Sequence, residues 1–293
     1  MKQKENLIAY AFLTPALVGF SIFLVFPVVY SLFLAFFKWD FVSGIQGMEF
    51  VGLKHFIEMW SDSWFINSLK NNFIYSAITV PGTMFIGLMF AFILNEKVYL
   101  KGFLRLIYFL PYISNIVAVS AVWMALYSPI NGPINQFLFS IGITNPPRWL
   151  SSPDTALLSI IIMTTWLGTG YCMIIYLAAL KGIPNSLYEA AEIDGANGYK
   201  KFIHITLPLL SPATFFLFVT RLIWSFLVFG PINIMTKGGP AQSTSVLVFH
   251  IYRSAFRFRE MGYASAVTWI LFLIIFTITL IQWRKQKAWV SYR

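Results

Sequence analysis

The amino-acid sequence predicts an all-α membrane protein that crosses the bilayer six times, and two observations carry that prediction. Of its 293 residues 58% are hydrophobic and only 11% are charged, a profile outside that of soluble globular domains. The apolar residues gather into six runs, each long enough to span about 30 Å of hydrocarbon as a helix of roughly 20 residues. The runs fill most of the chain, so residues 1–293 read as a single transmembrane domain with no room for a separate soluble one.

The first run, 7–37, follows Met-Lys-Gln-Lys but is too long for a signal-peptide core. Phe36-Phe37-Lys38-Trp39 offers no small-residue cleavage site, so a retained helix is expected, kinked at Pro15 and Pro27. The remaining runs are 72–94, 103–127, 155–180, 209–235 and 263–283. Cys172, the only cysteine, lies within the fourth and reads as a small packing residue; a disulfide within the chain is impossible.

Charge sets the expected orientation. With both termini in the cytoplasm, the cytoplasmic segments hold twelve basic residues against five acidic ones, and the outer segments hold eight against six. That is the usual bias of basic residues toward the inside, so the net charge of +10 reflects topology rather than nucleic-acid binding. Arg253, Arg257 and Arg259 fit it least, because they fall outside.

Between the fourth and fifth runs lies a polar segment, 184–208, too charged for lipid and too patterned for a casual linker. Pro184 and Asn185 break the preceding helix, and Ser186 with Glu189 fits a capping box for a new one. Leu187, Ala190 and Ala191 share a face, and Gly195 is placed to end that helix. Asn197 can begin a second short helix with Tyr199, Phe202 and Ile203, and Pro208 marks the turn into the fifth run. The result is a helix-turn-helix elbow outside the membrane, suited to be gripped by another protein.

Absences narrow the function. All eleven acidic residues, and His55, His204 and His250, lie outside the span centres, which disfavours an ion-coupled carrier. There is no phosphate-binding G-x-x-x-x-G-K-[ST] loop, and no Ser-His-Asp set, metal cluster or HExxH. Energy for uphill transport must therefore come from a partner. A membrane scaffold or receptor that merely binds a soluble partner through its elbow is the rival reading.

Glu189-Ala190-Ala191, Gly195, and Ile205, Leu207 and Pro208 reproduce the E-A-A, three residues, G, nine residues, I-x-L-P pattern of binding-protein-dependent ABC importer permeases. Thr236-Lys237-Gly238-Gly239-Pro240, Ile251-Tyr252-Arg253 and Gly262-Tyr263-Ala264-Ser265-Ala266 resemble the carbohydrate branch of that family, the maltose, lactose and glycerol-3-phosphate type. Thr14-Pro15-Ala16, Phe109-Leu110-Pro111 and Thr165-Trp166-Leu167-Gly168 agree with it, so the resemblance covers nearly the whole chain. It implies the fold of a type I ABC importer permease in a bacterial or archaeal cytoplasmic membrane. It also implies a second homologous permease subunit, two cytoplasmic ATPase subunits that bind ATP and Mg, and an extracytoplasmic solute-binding protein. This chain would carry no cofactor of its own. The elbow becomes a coupling helix that docks in the ATPase through Glu189, Ala190, Ala191, Asp194 and Gly195. Lys200 and Lys201 read as topology anchors.

Arg221 stands in the middle of the fifth run. Facing lipid it would cost at least about 2.5–3.5 kcal/mol, so it should face the bundle interior or a wet cavity. It is open whether it is structural, paired with carbonyls or a partner subunit, or lines a pathway. Aligned on the maltose-type permeases, the substrate contacts would be Thr164, Leu167, Gly168 and Tyr171 before the elbow, and Arg221, Trp224 and Ser225 after it. Tyr171 and Trp224 would stack on a sugar ring, and Thr164 and Ser225 would offer hydroxyls. Gly168 would let the ring approach the backbone. The family has a small polar residue where Arg221 stands, which favours a carboxylated or phosphorylated sugar over a neutral one.

Overall fold

The computed structural model describes residues 2–95 and 99–291. Glu96, Lys97 and Arg293, counted in the charge balance, lie outside the described residues. In chain order the helices are α1 (Lys2–Phe20), α2 (Phe26–Leu34), α3 (Lys54–Glu58), α4 (Ser63–Asn95), α5 (Lys101–Ile113), α6 (Ile116–Leu126), α7 (Pro133–Ser140) and α8 (Pro153–Lys181). There follow α9 (Asn185–Ile193), α10 (Gly198–Lys201), α11 (Leu207–Leu209), α12 (Ser211–Phe226), α13 (Gly230–Met235), α14 (Leu247–Tyr252) and α15 (Met261–Gln286). Among the described residues the only strands form a short antiparallel ribbon, β1 (Phe37–Lys38) on β2 (Glu49–Phe50), with Phe37 opposite Phe50.

Among the described residues five stretches are long and apolar enough to cross a membrane: Phe12–Leu34, Ser63–Asn95, Pro153–Lys181, Ser211–Met235 and Met261–Gln286. The bent pair α5 and α6 makes a sixth if it counts as one span. The stretch expected as one span over 103–127 is bent, the two helices meeting at 99°. Pro111 withholds an N–H near the end of α5, and Ser114 turns extended with its hydroxyl donating to the Leu110 carbonyl at 2.7 Å. Asn115 then caps α6, its side chain accepting the Val117 N–H at 2.8 Å.

The second expected span starts earlier than its apolar run. Helix α4 begins at Ser63 because Ser68, Asn71 and Asn72, too polar for a lipid-facing surface, are buried against the loop that precedes α14. Ser68 pairs with the Ser245 hydroxyl at 2.8 Å, and Asn71 donates to the carbonyls of Gln242 and Ser245. Asn72 accepts the Leu247 N–H at 2.9 Å and donates to the Ser225 carbonyl at 3.3 Å.

Two prolines within helical paths each follow a π turn. Pro27 follows the π turn Ser21–Val25, and Pro208 follows the π turn Phe202–Thr206. A proline lacks the N–H of the regular ladder and its ring collides with the carbonyl four residues back. The wider turn relieves this by one extra residue, closed by Phe26 N–H to Ser21 O and Leu207 N–H to Phe202 O. Pro208 therefore sits within a helical path rather than at the turn expected there, while Pro15 lies inside an unbroken α1.

The residues group into two compact units, Met1–Ser63 with His250–Phe272, and Trp64–Phe249 with Leu273–Arg293. The first is held by a polar hub. Tyr263 donates its hydroxyl to Asp62 Oδ2 at 2.7 Å, and His250 Nε2 lies 3.4 Å from the same oxygen. His55 packs edge-on to Tyr263 and bonds through Nε2 to the Phe37 carbonyl at 3.2 Å. Burial drives the His250 ring down to a pKa of about 4, against the pull of Asp62. Nearby, the Ser43 backbone N–H holds the Asp40 carboxyl below its ordinary value. Arg253 is buried with its guanidinium 4.9 Å from the Phe258 ring centre.

The second unit has two apolar clusters. One joins Val80, Met84 and Leu94 of α4 to Met173, Tyr176 and Leu180 of α8 and to Leu210 and Leu217. The other gathers Val119, Tyr127, Ile160, Met163, Ile232 and Phe249 around α6, α8 and α13.

Candidate functional site

The elbow folds as the two short helices expected of it. Its first helix, α9, starts one residue earlier than Ser186, with Pro184 extended at the cap position and no side-chain capping bond. The Ser186–Glu189 capping box is therefore not formed: Ser186 already lies inside the helix, where its hydroxyl cannot serve as the cap. The end is as expected. Gly195 is left-handed at φ +76° and donates to Glu192 O at 3.0 Å, while Ala196 donates to Ala191 O at 2.8 Å. This pair of bonds closes the helix as a Schellman motif, for which glycine is the favoured residue. Asn197 caps α10, its side chain accepting the Lys200 N–H at 2.9 Å.

Two bonds brace the elbow. Lys201 Nζ reaches Glu192 Oε1 at 2.6 Å, and the Tyr188 hydroxyl pairs with Thr206 at 2.9 Å. Ile183, Tyr188 and Ile205 pack on the cluster between α4, α8 and α12, so the base of the elbow is anchored in the bundle. Lys201 thus has a structural partner beyond any role as a topology anchor. Glu189, Ala190, Asp194 and Gly195 are exposed, Ala191 half so, and Glu189 has no ion-pair partner among the described residues. Sequence reading missed the apolar part of this surface: Ile193 is 88% exposed and Tyr199 72%. Their signal was large apolar side chains inside an otherwise polar segment.

The second group lies where α4, α8 and α12 meet. Gly168 of α8 provides the slot for Arg221 of α12: a Cβ built there would collide with the guanidinium Nη2 and press on Thr83 of α4. Tyr75, Tyr171 and Cys172 are neighbours of the Arg221 guanidinium, and Tyr75 has Thr164 and Thr79 as polar neighbours. Tyr171 stacks on Tyr112 with ring centres 5.1 Å apart. The Arg221 Nε is buried with no hydrogen-bond partner.

The remaining expected residues are divided. Thr164 is buried and its hydroxyl donates to the Ile160 carbonyl at 2.9 Å; Leu167 packs against the α6–α13 cluster. Ser225 is buried, donating to the Leu222 carbonyl at 2.7 Å and paired with the Ser76 hydroxyl at 2.8 Å, so it serves helix packing. Trp224 points out of the chain at 67% exposure. The structure therefore brings Thr164, Gly168, Tyr171 and Arg221 together with Tyr75 and Thr83, which sequence reading did not single out because nothing local marks a tyrosine or threonine on α4.

A family model described as the binding-protein-dependent transport system inner membrane component matches residues 83–284, which include the elbow, all of α8 and α12, and α4 from Thr83 onward. The chain belongs to this family. This permease is 36% identical to the probable ABC transporter permease protein YurN of Bacillus subtilis over 98% of its own length and 99% of the relative's. It is 34% identical to the lactose transport system permease protein LacF of Rhizobium radiobacter, covering 96% and 95%. Its fold matches a chain from the crystal structure of a bacterial ABC transporter involved in the import of the acidic polysaccharide alginate. There the TM-score is 0.85 and the identity 27%, over 98% of each chain. The permease is thus a multi-pass transport subunit of the ABC importer type.

Proposed function

We propose that this permease forms half of the translocation pathway of a carbohydrate importer in a bacterial or archaeal cytoplasmic membrane, with both termini on the cytoplasmic side. A second, homologous permease supplies the other half, two ATPase subunits bind ATP and Mg, and an extracytoplasmic binding protein delivers the sugar. The lactose transport of LacF and the alginate import of the structurally similar transporter support carbohydrate as the cargo.

One observation carries the coupling role: a braced, two-helix elbow that presents Ile193, Ala190 and Glu189 to the outside while its base is packed into the bundle. A stiff element anchored this way transmits a rigid-body motion, whereas a flexible loop would absorb it. The exposed apolar tip fits a cleft in the ATPase, and Glu189 can pair with a basic group there. Closing and opening of the ATPase pair would then rock the spans on either side of the elbow between outward- and inward-facing states. The substrate would pass the surface where Tyr171, Arg221 and Trp224 stand.

Gly195→Asp puts a side chain on the left-handed turn and adds negative charge at the tip. The variant is expected to insert normally, to lose its ATPase on detergent purification, and to abolish uptake of labelled sugar. Full retention of the ATPase by this variant removes the elbow from the coupling role.

A further inference from the structure

We infer that Arg221, seated in the Gly168 slot, is the anion-binding element of the pathway and that the transported carbohydrate carries a carboxylate or phosphate. This rests on the proposed carbohydrate importer and names its substrate class.

The argument begins with what the guanidinium lacks. Among the described residues Arg221 makes no ion pair, and its buried Nε finds no hydrogen-bond acceptor. The helices around it offer no counter-charge. Neither α4 nor α12 contains an acidic residue, and the one on α8 is Asp154 in its first turn. Asp154 precedes Gly168 by fourteen residues, about 21 Å along the helix axis. A half-buried cation held among apolar helices without an anion is an incomplete site, and an anion that reaches it completes the pair.

The surroundings then say what kind of anion fits. Gly168 removes the side chain that would otherwise collide with Nη2, so the fork is held against the backbone of α8 rather than left to swing. A held planar fork matches the two oxygens of a carboxylate or phosphate. Thr83 touches the same slot, and the hydroxyl of Tyr75 lies in the same charged neighbourhood. On α12, Trp224 follows Arg221 by three residues, one helical turn along the same side, with its ring exposed. An aromatic face beside a charged fork suits a sugar ring that bears an acid group.

The test uses the complete transporter, with the second permease, ATPases and binding protein, reconstituted in proteoliposomes. Three labelled probes are compared: a hexuronic-acid oligosaccharide, a neutral oligosaccharide of equal length, and a sugar phosphate. In the unmodified transporter at least one anionic probe is expected to be taken up in preference to the neutral one. Arg221→Gln should lower the anionic-to-neutral uptake ratio about tenfold to a hundredfold, as expected for a lost charge-assisted bond, and Arg221→Lys by less. Gly168→Ala, which keeps the charge but displaces the fork, should lower the ratio in the same direction. Uptake of the neutral probe alone, or a ratio unchanged in both Arg221→Gln and Gly168→Ala, overturns the anion site and leaves the carbohydrate importer standing. A normal ratio accompanied by poor recovery of the assembled complex shows instead that Arg221 pairs with the second permease, and also overturns it. Uptake of no carbohydrate of either charge removes the importer reading and this inference together.

Discussion

His250 is a titratable side chain held where water hardly reaches, so its ionisation is tied to the folding of the first unit. Its pKa of about 4 lies below the ordinary 6.5, because burial penalises the charged ring more than Asp62 rewards it, with Arg253 opposing the charge as well. The folded state therefore prefers the neutral ring. Stability from this group is complete above pH 6.5 and is lost as the pH falls from 6.5 toward 4. The loss is on the order of 3 kcal/mol at its limit. Thermal unfolding of the purified protein should show a midpoint that drops through this window, and His250→Gln should flatten the drop. An equal slope in the variant would acquit His250. At this scale the sequence showed Arg221 plainly, since a lone arginine in an apolar run needs an explanation. It could not show the slot, because Gly168 and Arg221 lie on separate helices and meet only in the fold. Ser225 carried the reverse problem: a hydroxyl beside Arg221 looked available, but its helical face turns it toward Ser76.

Between elements, Asn72 makes a link that no apolar contact replaces. Fully buried on α4, it donates to a carbonyl of α12 and accepts the first N–H of α14. Asn72→Ala leaves both groups without partners, and the expected loss is roughly 2 kcal/mol, from the usual 1–3 kcal/mol for an unsatisfied buried polar group. Chemical denaturation with intrinsic tryptophan fluorescence would measure it, and a loss below about 0.5 kcal/mol would mean that water or a shifted loop satisfies the freed groups. Helices were legible from hydropathy, and the elbow's closing glycine and Asn197 cap from local chemistry. The break between α5 and α6 was not, because Leu110-Pro111-Tyr112-Ile113 is as apolar as what surrounds it. The turn is made by hydrogen bonds of Ser114 and Asn115, two residues that hydropathy averages away.

At the scale of the whole molecule, the proposed orientation rests on charge, and the arginines that fit it least are better understood in the fold. Arg253 is buried and stacked on Phe258, so it acts as a packing group more than as a surface charge in an outer loop. Labelling can check the arrangement directly. Cys172 is fully buried, so single cysteines placed in a Cys172→Ser background report on their own surroundings. Cysteines at Ile193 and Trp289 should react with a membrane-impermeant maleimide from the cytoplasmic side, and one at Val42 from the opposite side. Labelling of Ile193 and Val42 from one side would mean that α5 and α6 do not together make a crossing.

The π turn at Phe202–Thr206 has a consequence for aim. It carries one residue more than a regular turn, so the helical path beyond it is rotated by about 100° from where an uninterrupted helix would point. That path continues through Leu210, which bonds back to Thr206, and on to α12. Deleting a single residue from the π turn would leave the span nearly as long and as greasy as before. Its compass bearing would change, and Arg221 would face away from Gly168. The junction between elbow and bundle therefore dials which side chains of α12 face α8, and residue count at this one turn matters more than composition.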